Sequence, residues 1–433
     1  MTNQGTEKPT LLDIPYTRHE LSNGLRVVLS PDSTIPVVGV NLWYGVGSRN
    51  ERPGRTGFAH LFEHMMFQGS ANVPKGSHFE LVERAGGSLN ASTWFDRTNY
   101  FETVPAHQLE LALWLEADRM GWMLPALTQE KLDNQRDVVK NEKRQRYDNQ
   151  PYGDWSERIQ KLVFPEDHPY HHTVIGSMED LDAASLEDVE EFFRAFYVPN
   201  NAVLTICGDV DEDDALELVE RQFGAIPAGP PPPSIPGEAE LEPVIGETRR
   251  ERVESDVPLP RVYLAARVPP YDTGGYYEAD VASGVLGNGK ASRLYRSLVR
   301  EQQVAKDVVS FTFPLLTGAT MLLLWVTGYP DADPEKLEQA LVGEVEGLGS
   351  VREEELERSL SINETEMLRQ IEKVGDRADL LSMFEIFFDD PGRINSEIDR
   401  YRSVDVERVR SFADAHLGED NRVIVSYVPG GES

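Results

Sequence analysis

The chain has 433 residues, 40% of them hydrophobic and 9% aromatic, and a formal net charge of −32. That length exceeds what one hydrophobic core holds, and the apolar content excludes a disordered chain, so two or more globular domains are expected. The charge argues against nucleic acid and against an anionic membrane surface, while leaving basic peptides as partners that long-range attraction would favour.

The only cysteine is Cys207. An intramolecular disulfide and a multi-cysteine metal site are both excluded, so a transition metal would need histidine and carboxylate. The first residues, "MTNQGTEKPTLLDIPYTRHELSNG", show no basic segment followed by an apolar one. With no leader and no membrane span in view, a cytoplasmic location is expected.

In chain order, Asn23-Gly24 predicts a hairpin turn between "YTRHEL" and "LRVVLS". "VVGVNLWYGVGS" is a continuous β-prone run of the kind found in buried strands. "GFAHLFEHMMF" at 57–67 reads as a helix, and "HFELVERAGG" as an amphipathic helix closed by Gly86-Gly87. "SLNASTWFDRTNYFETV" suggests two strands turning around Asp96. Helical patterns cover roughly 105–121 and 128–147. "AVLTICGDV" is a strand and "DEDDALELVERQF" the helix after it; its acidic residues mimic a calcium loop, but Asp214 stands where the turn needs glycine.

"AIPAGPPPPSIPG" at 225–237 cannot join a helix or a central strand, which sets a linker at 225–245 between domains at 16–224 and 246–433. The second half then repeats the element order of the first. "RVYLAARVPPY" is a strand, "YYEADVASGVLGNGKASRLYRSLVRE" is helical with a turn in "LGNGKASR", and "TMLLLWVTGYPDADPEKLEQALVGEVEGL" is strand then helix. "RADLLSMFEIFF" is a helix and "NRVIVSYVPG" a closing strand. The run Leu315 to Val326 is too short to span a membrane and reads as buried strand. The expected fold is α+β: two homologous α/β-sandwich domains, each a mixed or antiparallel sheet packed with helices.

Chemistry concentrates in "HLFEH". His60 and His64, at i and i+4, share one helix face and can reach one ion. Glu63 lies beside them. Three ionisable groups on an apolar helix cost desolvation unless they have a task, and H-x-x-E-H is the inverted form of the H-E-x-x-H zinc motif. His168, His171 and His172 lie in a Pro-containing loop and read as structural.

Together with "GGSLNASTWFDRTNYFE" at 86–102, "LDNQRDVVKNEKRQRYDNQPYG" at 132–153, "HPYHHTVIGSMEDL" at 168–181 and "FYVPNNAVLTICGDV" at 196–210, this motif resembles the insulinase/pitrilysin family of zinc peptidases, which includes the mitochondrial processing peptidase. The resemblance extends from about residue 16 over nearly the whole chain and is looser in the second half. It implies one zinc ion per chain, held in the first half by His60, His64 and Glu142, with Glu63 as the base that activates water. It implies that Gln135 stands where many members carry a glutamate near the metal. It also implies that Asn90 and Ala91 lie on an exposed edge strand that binds peptide through main-chain hydrogen bonds. In the second half, family members often carry an Arg followed by a Tyr that grip the substrate. Here "REQQVAKDV" keeps Arg300 but has Lys306 in place of the Tyr.

The reading is therefore a zinc endopeptidase acting on peptides or unfolded segments. A narrower processing protease, a non-catalytic scaffold subunit of a processing-peptidase-like complex and a regulatory metal module are the alternatives. A scaffold would have no use for all four site residues, and a regulatory module none for Glu63. The incomplete Arg300/Lys306 pair points to a partner, a related chain lacking the zinc motif, ahead of a homodimer.

Overall fold

The computed structural model describes residues 12–237, 240–271 and 273–430. The first half runs β1 (Thr17–Glu20), β2 (Arg26–Pro31), β3 (Val37–Tyr44), α1 (Phe58–Met65), α2 (Ser77–Arg84), β4 (Ser88–Thr93), β5 (Thr98–Pro105), α3 (Leu109–Trp122), α4 (Gln129–Lys143), α5 (Trp155–Val163), α6 (Met178–Ala183), α7 (Leu186–Phe196), β6 (Ala202–Gly208) and α8 (Glu212–Phe223). The described part of 224–246 carries neither helix nor strand. The second half runs β7 (Glu247–Ser255), β8 (Arg261–Val268), α9 (Tyr276–Gly287), β9 (Ala305–Thr312), β10 (Thr320–Gly328), α10 (Pro334–Glu346), α11 (Glu353–Glu372), α12 (Val374–Phe388), α13 (Glu397–Arg402), α14 (Val406–His416) and β11 (Asn421–Pro429).

Two sheets result, in the orders β1-β2-β6-β3-β5-β4 and β7-β11-β8-β10-β9. Leaving β1 aside, the orders correspond strand for strand. In each, the last strand of the unit inserts between the first and second, parallel to the first (β2 with β6, β7 with β11) and antiparallel to the second (β3 and β8). The duplicated α+β architecture expected from element order is what forms. β1 and β2 turn at Gly24, whose φ of 83° suits glycine. β3 and β6 are buried almost throughout, as central strands covered on both faces must be.

One face of each sheet packs on helices of its own half. The other faces are exchanged. α12 of the second half covers the first sheet, with Leu381 and Phe384 against Val28, Trp43 and Val203. α5 of the first half covers the second sheet, with Ile159 and Val163 against Tyr263, Leu323 and Val425. No described helix is long and apolar enough to cross a membrane. The run Leu315 to Val326 becomes strand only from Thr320, where β10 begins.

Candidate metal centre

α1 owes its position to polar contacts at its first turn. Gly57 opens the helix with φ 88°, and a methyl group there would lie 2.7 Å from the Ile175 carbonyl oxygen. The Glu51 carboxylate accepts from the N–H groups of Gly57 and Ala59, both at 2.8 Å, filling donors that a helix start leaves free and adding charge where the dipole favours it. His172 bonds the same carboxylate at 2.9 Å. Burial pushes the Glu51 pKa up against these bonds, while the Glu51 bond raises that of His172 despite its burial. Asp180 accepts from the Thr56 N–H at 2.9 Å and its hydroxyl at 2.5 Å. The segment 168–181 is thus a brace for the helix. His168 and His171 likewise make local bonds, to the Tyr170 N–H and the Phe164 carbonyl.

So held, α1 presents His60 and His64 to α4. Their Nε2 atoms lie 3.8 and 3.3 Å from the same oxygen, Oε2 of Glu142. The three ligand atoms fall within 4.8 Å of one another. An ion bound at ~2.0–2.2 Å in a tetrahedral array needs ligand atoms roughly 3.3–3.6 Å apart. The residues present therefore fit zinc in number and type, and small side-chain shifts bring their spacing to that of a bound ion. Burial and the neighbouring His64 hold His60 down to about 4, in the neutral form that binds metal. The His64 hydrogen bond, with help from His60, holds the Glu142 carboxyl below its usual range. Arg146, in the turn of π-helix that extends α4, reaches the other oxygen of Glu142 at 2.9 Å.

Glu63 points to the same cleft but toward β4. The Thr93 hydroxyl donates to its Oε2 at 2.7 Å, and burial pushes its pKa up. The cleft, about 520 Å³, is walled by β4 at Asn90, Ala91 and Thr93 and by the α4 extension at Arg146 and Tyr147. β4 is the outermost strand of its sheet, so one side of its backbone pairs with no other strand, and there the Ala91 N–H donates to Asn90 Oδ1 at 2.9 Å. Phe313, just past β9, is the second half's contribution.

Two expected residues stand apart. Gln135 is buried on α4 two turns before Glu142, but the hydrogen bond it makes is to Asn134. Arg300 is exposed, with its guanidinium 5.6 Å from the Tyr295 ring, and is absent from the walls of the cleft. Lys306 is exposed near the start of β9, at a register shift, while Phe313 lies seven residues on. At ~3.3 Å per residue, that puts Lys306 roughly 23 Å along the chain from Phe313, and Lys306 is not among the cleft walls. Glu51, Thr93, His172 and Asp180 went unremarked as site residues in the sequence. Their roles depend on contacts between segments, and only the occurrence of the last three within motif-bearing stretches hinted at them.

A family model described as insulinase (peptidase family M16) matches residues 26–164, and one described as peptidase M16 inactive domain matches residues 183–363. The chain is similar to the zinc protease PqqE of Helicobacter pylori, 33% identical over 84% of this chain and 83% of that protein. It superposes on the crystal structure of a protease from Helicobacter pylori with a TM-score of 0.89 and 30% identity, covering 96% of this chain and 99% of the other. A crystal structure of a peptidase M16 inactive domain from Pseudomonas fluorescens shares the fold, with a TM-score of 0.81 and 21% identity over 97% and 99% of the two chains.

Proposed function

The chain belongs to the insulinase family of peptidases, M16, and on that premise we propose that it is a zinc-dependent endopeptidase cleaving peptides or unfolded segments, with one zinc per chain. The observation that carries this is the convergence of His60, His64 and Glu142 beside Glu63 and an unpaired strand edge. Zinc held there supplies Lewis acidity to water and to the scissile carbonyl. The chain's own residues do the rest. β4 aligns an extended peptide through main-chain hydrogen bonds around Asn90 and Ala91. Thr93 occupies Oε2 of Glu63, leaving Oε1 to take the proton of the attacking water and then pass it to the leaving amine. Burial raises the affinity of Glu63 for that proton. Glu63→Gln should retain zinc and peptide binding while turnover falls by roughly 100-fold or more. Cleavage at the wild-type rate would remove Glu63 from the role of base.

Arg300 and Lys306 are exposed and absent from the walls of their own cleft, which favours a pair of chains in which one grips substrate for the other. A related chain lacking the metal motif and carrying both Arg and Tyr would complete the pair. Turnover of the purified chain alone should be poor and should rise on adding such a partner. Efficient cleavage by the isolated chain, unaffected by Lys306→Ala, contradicts this.

A further inference from the structure

The two carboxylates of the metal cleft each have one oxygen held by a neighbour. On Glu63, Thr93 holds Oε2. On Glu142 the oxygens have different partners. Oε2 faces the imidazoles of His60 and His64 at 3.8 and 3.3 Å, while Oε1 pairs with Nη1 of Arg146 at 2.9 Å. Arg146 stands in the wall of the cleft, and among the described residues of that wall it is the one lysine or arginine.

The pairing is selective. The end of α4 and its extension carry four cations: Lys140, Lys143, Arg144 and Arg146. Lys140 goes to Asp182 at 2.6 Å, Lys143 lies 3.9 Å from Glu157, and Arg144 donates to the Asn141 side chain at 2.8 Å. Of the four, Arg146 is the one that turns to Glu142. It does so from the π-helical turn Arg144–Asp148, and such turns are rare and cluster at functional sites. An exposed i,i+4 pair contributes little to stability, which is the ordinary reading of such a contact. Here the partners differ. The Arg146 side chain is 73% exposed, but that of Glu142 is only 18% exposed and presents its other oxygen to both histidines.

We propose that Arg146 is a positioning residue that keeps Glu142 a one-oxygen ligand, so that the fourth position on the metal stays open. The proposal rests on the reading of His60, His64 and Glu142 as a zinc site. A carboxylate can bind an ion through one oxygen or through both. With both oxygens free, Glu142 can chelate, and its second oxygen then fills the position that a catalytic zinc site leaves to water. Arg146 removes that option by holding Oε1 in a charge-assisted contact. The arrangement also has a cost, because the guanidinium charge opposes that of the metal. A site that only stored metal would bind it better without Arg146. A site that must leave one position open gains from it.

The test loads the full chain with cobalt(II) in place of zinc and reads its visible absorption, which is intense for four-coordinate cobalt and weak at higher coordination. The wild type should show the four-coordinate spectrum. Arg146→Met keeps the apolar stem and removes the guanidinium. It should bind cobalt at least as tightly, show the weaker spectrum, and bind mercaptoethanol, a probe of the open position, about tenfold less tightly. Arg146→Lys keeps a cation within reach of Oε1 and should stay with the wild type. Loss of a merely stabilising pair would leave the spectrum as it was. Equal spectra in the wild type and Arg146→Met, or a wild-type spectrum of higher coordination, overturns the proposal. Metal is bound in both of those outcomes, so the zinc reading survives them. A wild-type chain that binds no metal overturns the two together.

Discussion

At the scale of residues, His60, Glu63 and His64 were legible because their relation is local: helix periodicity alone puts the two imidazoles on one face. Glu142 was not. A glutamate in a charged helix carries no local mark, and only resemblance to a family singled it out. The residues that position the four were invisible for the same reason. Thr93 is a common strand residue until β4 sets it 2.7 Å from Glu63. Thr93→Val keeps the shape and β-propensity of the side chain but frees Oε2 of Glu63. Turnover should fall about tenfold with zinc content unchanged, the usual scale for removing a group that orients a site. Unchanged turnover would show that Glu63 needs no orienting bond.

At the scale of elements, most strands and several helices were readable, but β7, β9, α5, α7 and α11 were missed, and α11 shows why. Its sequence, "EEELERSLSINETEMLRQIE", is polar on most faces and buries few residues. It starts where it does because Glu355 folds back to accept from the Arg352 N–H at 3.1 Å and pairs with Arg293 through two hydrogen bonds, at 3.0 and 2.8 Å. Burial opposes ionisation of Glu355, but these bonds win and hold its pKa down to about 2, from 4.5 when unfolded. A folded pKa below the unfolded one means that the stabilisation is complete above 4.5 and is lost as pH falls toward 2. The amount is on the order of 3 kcal/mol. Urea midpoints measured across that window should drop for the wild type. They should start lower and vary less for Glu355→Gln, and parallel curves would count against the pair.

At the scale of the whole molecule, the duplication was readable from element order, since each half runs through strands and helices and closes with a strand; that this strand inserts between the first two is the structure's addition. The exchange of α5 and α12 was not readable. α12 reads as an apolar helix and α5, with the amphipathic sequence "WSERIQKLV", was not read as one; nothing local says which sheet either covers. The exchange joins the halves through their cores, and a clasp at the interface adds to it: Asp96 accepts from Arg49 at 2.8 Å and Tyr170 at 2.5 Å, while the Tyr170 oxygen accepts from the Thr317 N–H at 2.9 Å. Such a frame holds Phe313 of one half against the metal cleft of the other. The metal centre itself is the claim on which the rest depends, and zinc content tests it most directly. After dialysis against trace metal, the full chain should retain one zinc ion, His60→Ala and His64→Ala none, and Glu142→Gln a weakly held fraction, because an amide is a poorer ligand than a carboxylate. Full zinc occupancy in His64→Ala would show that the metal is bound elsewhere.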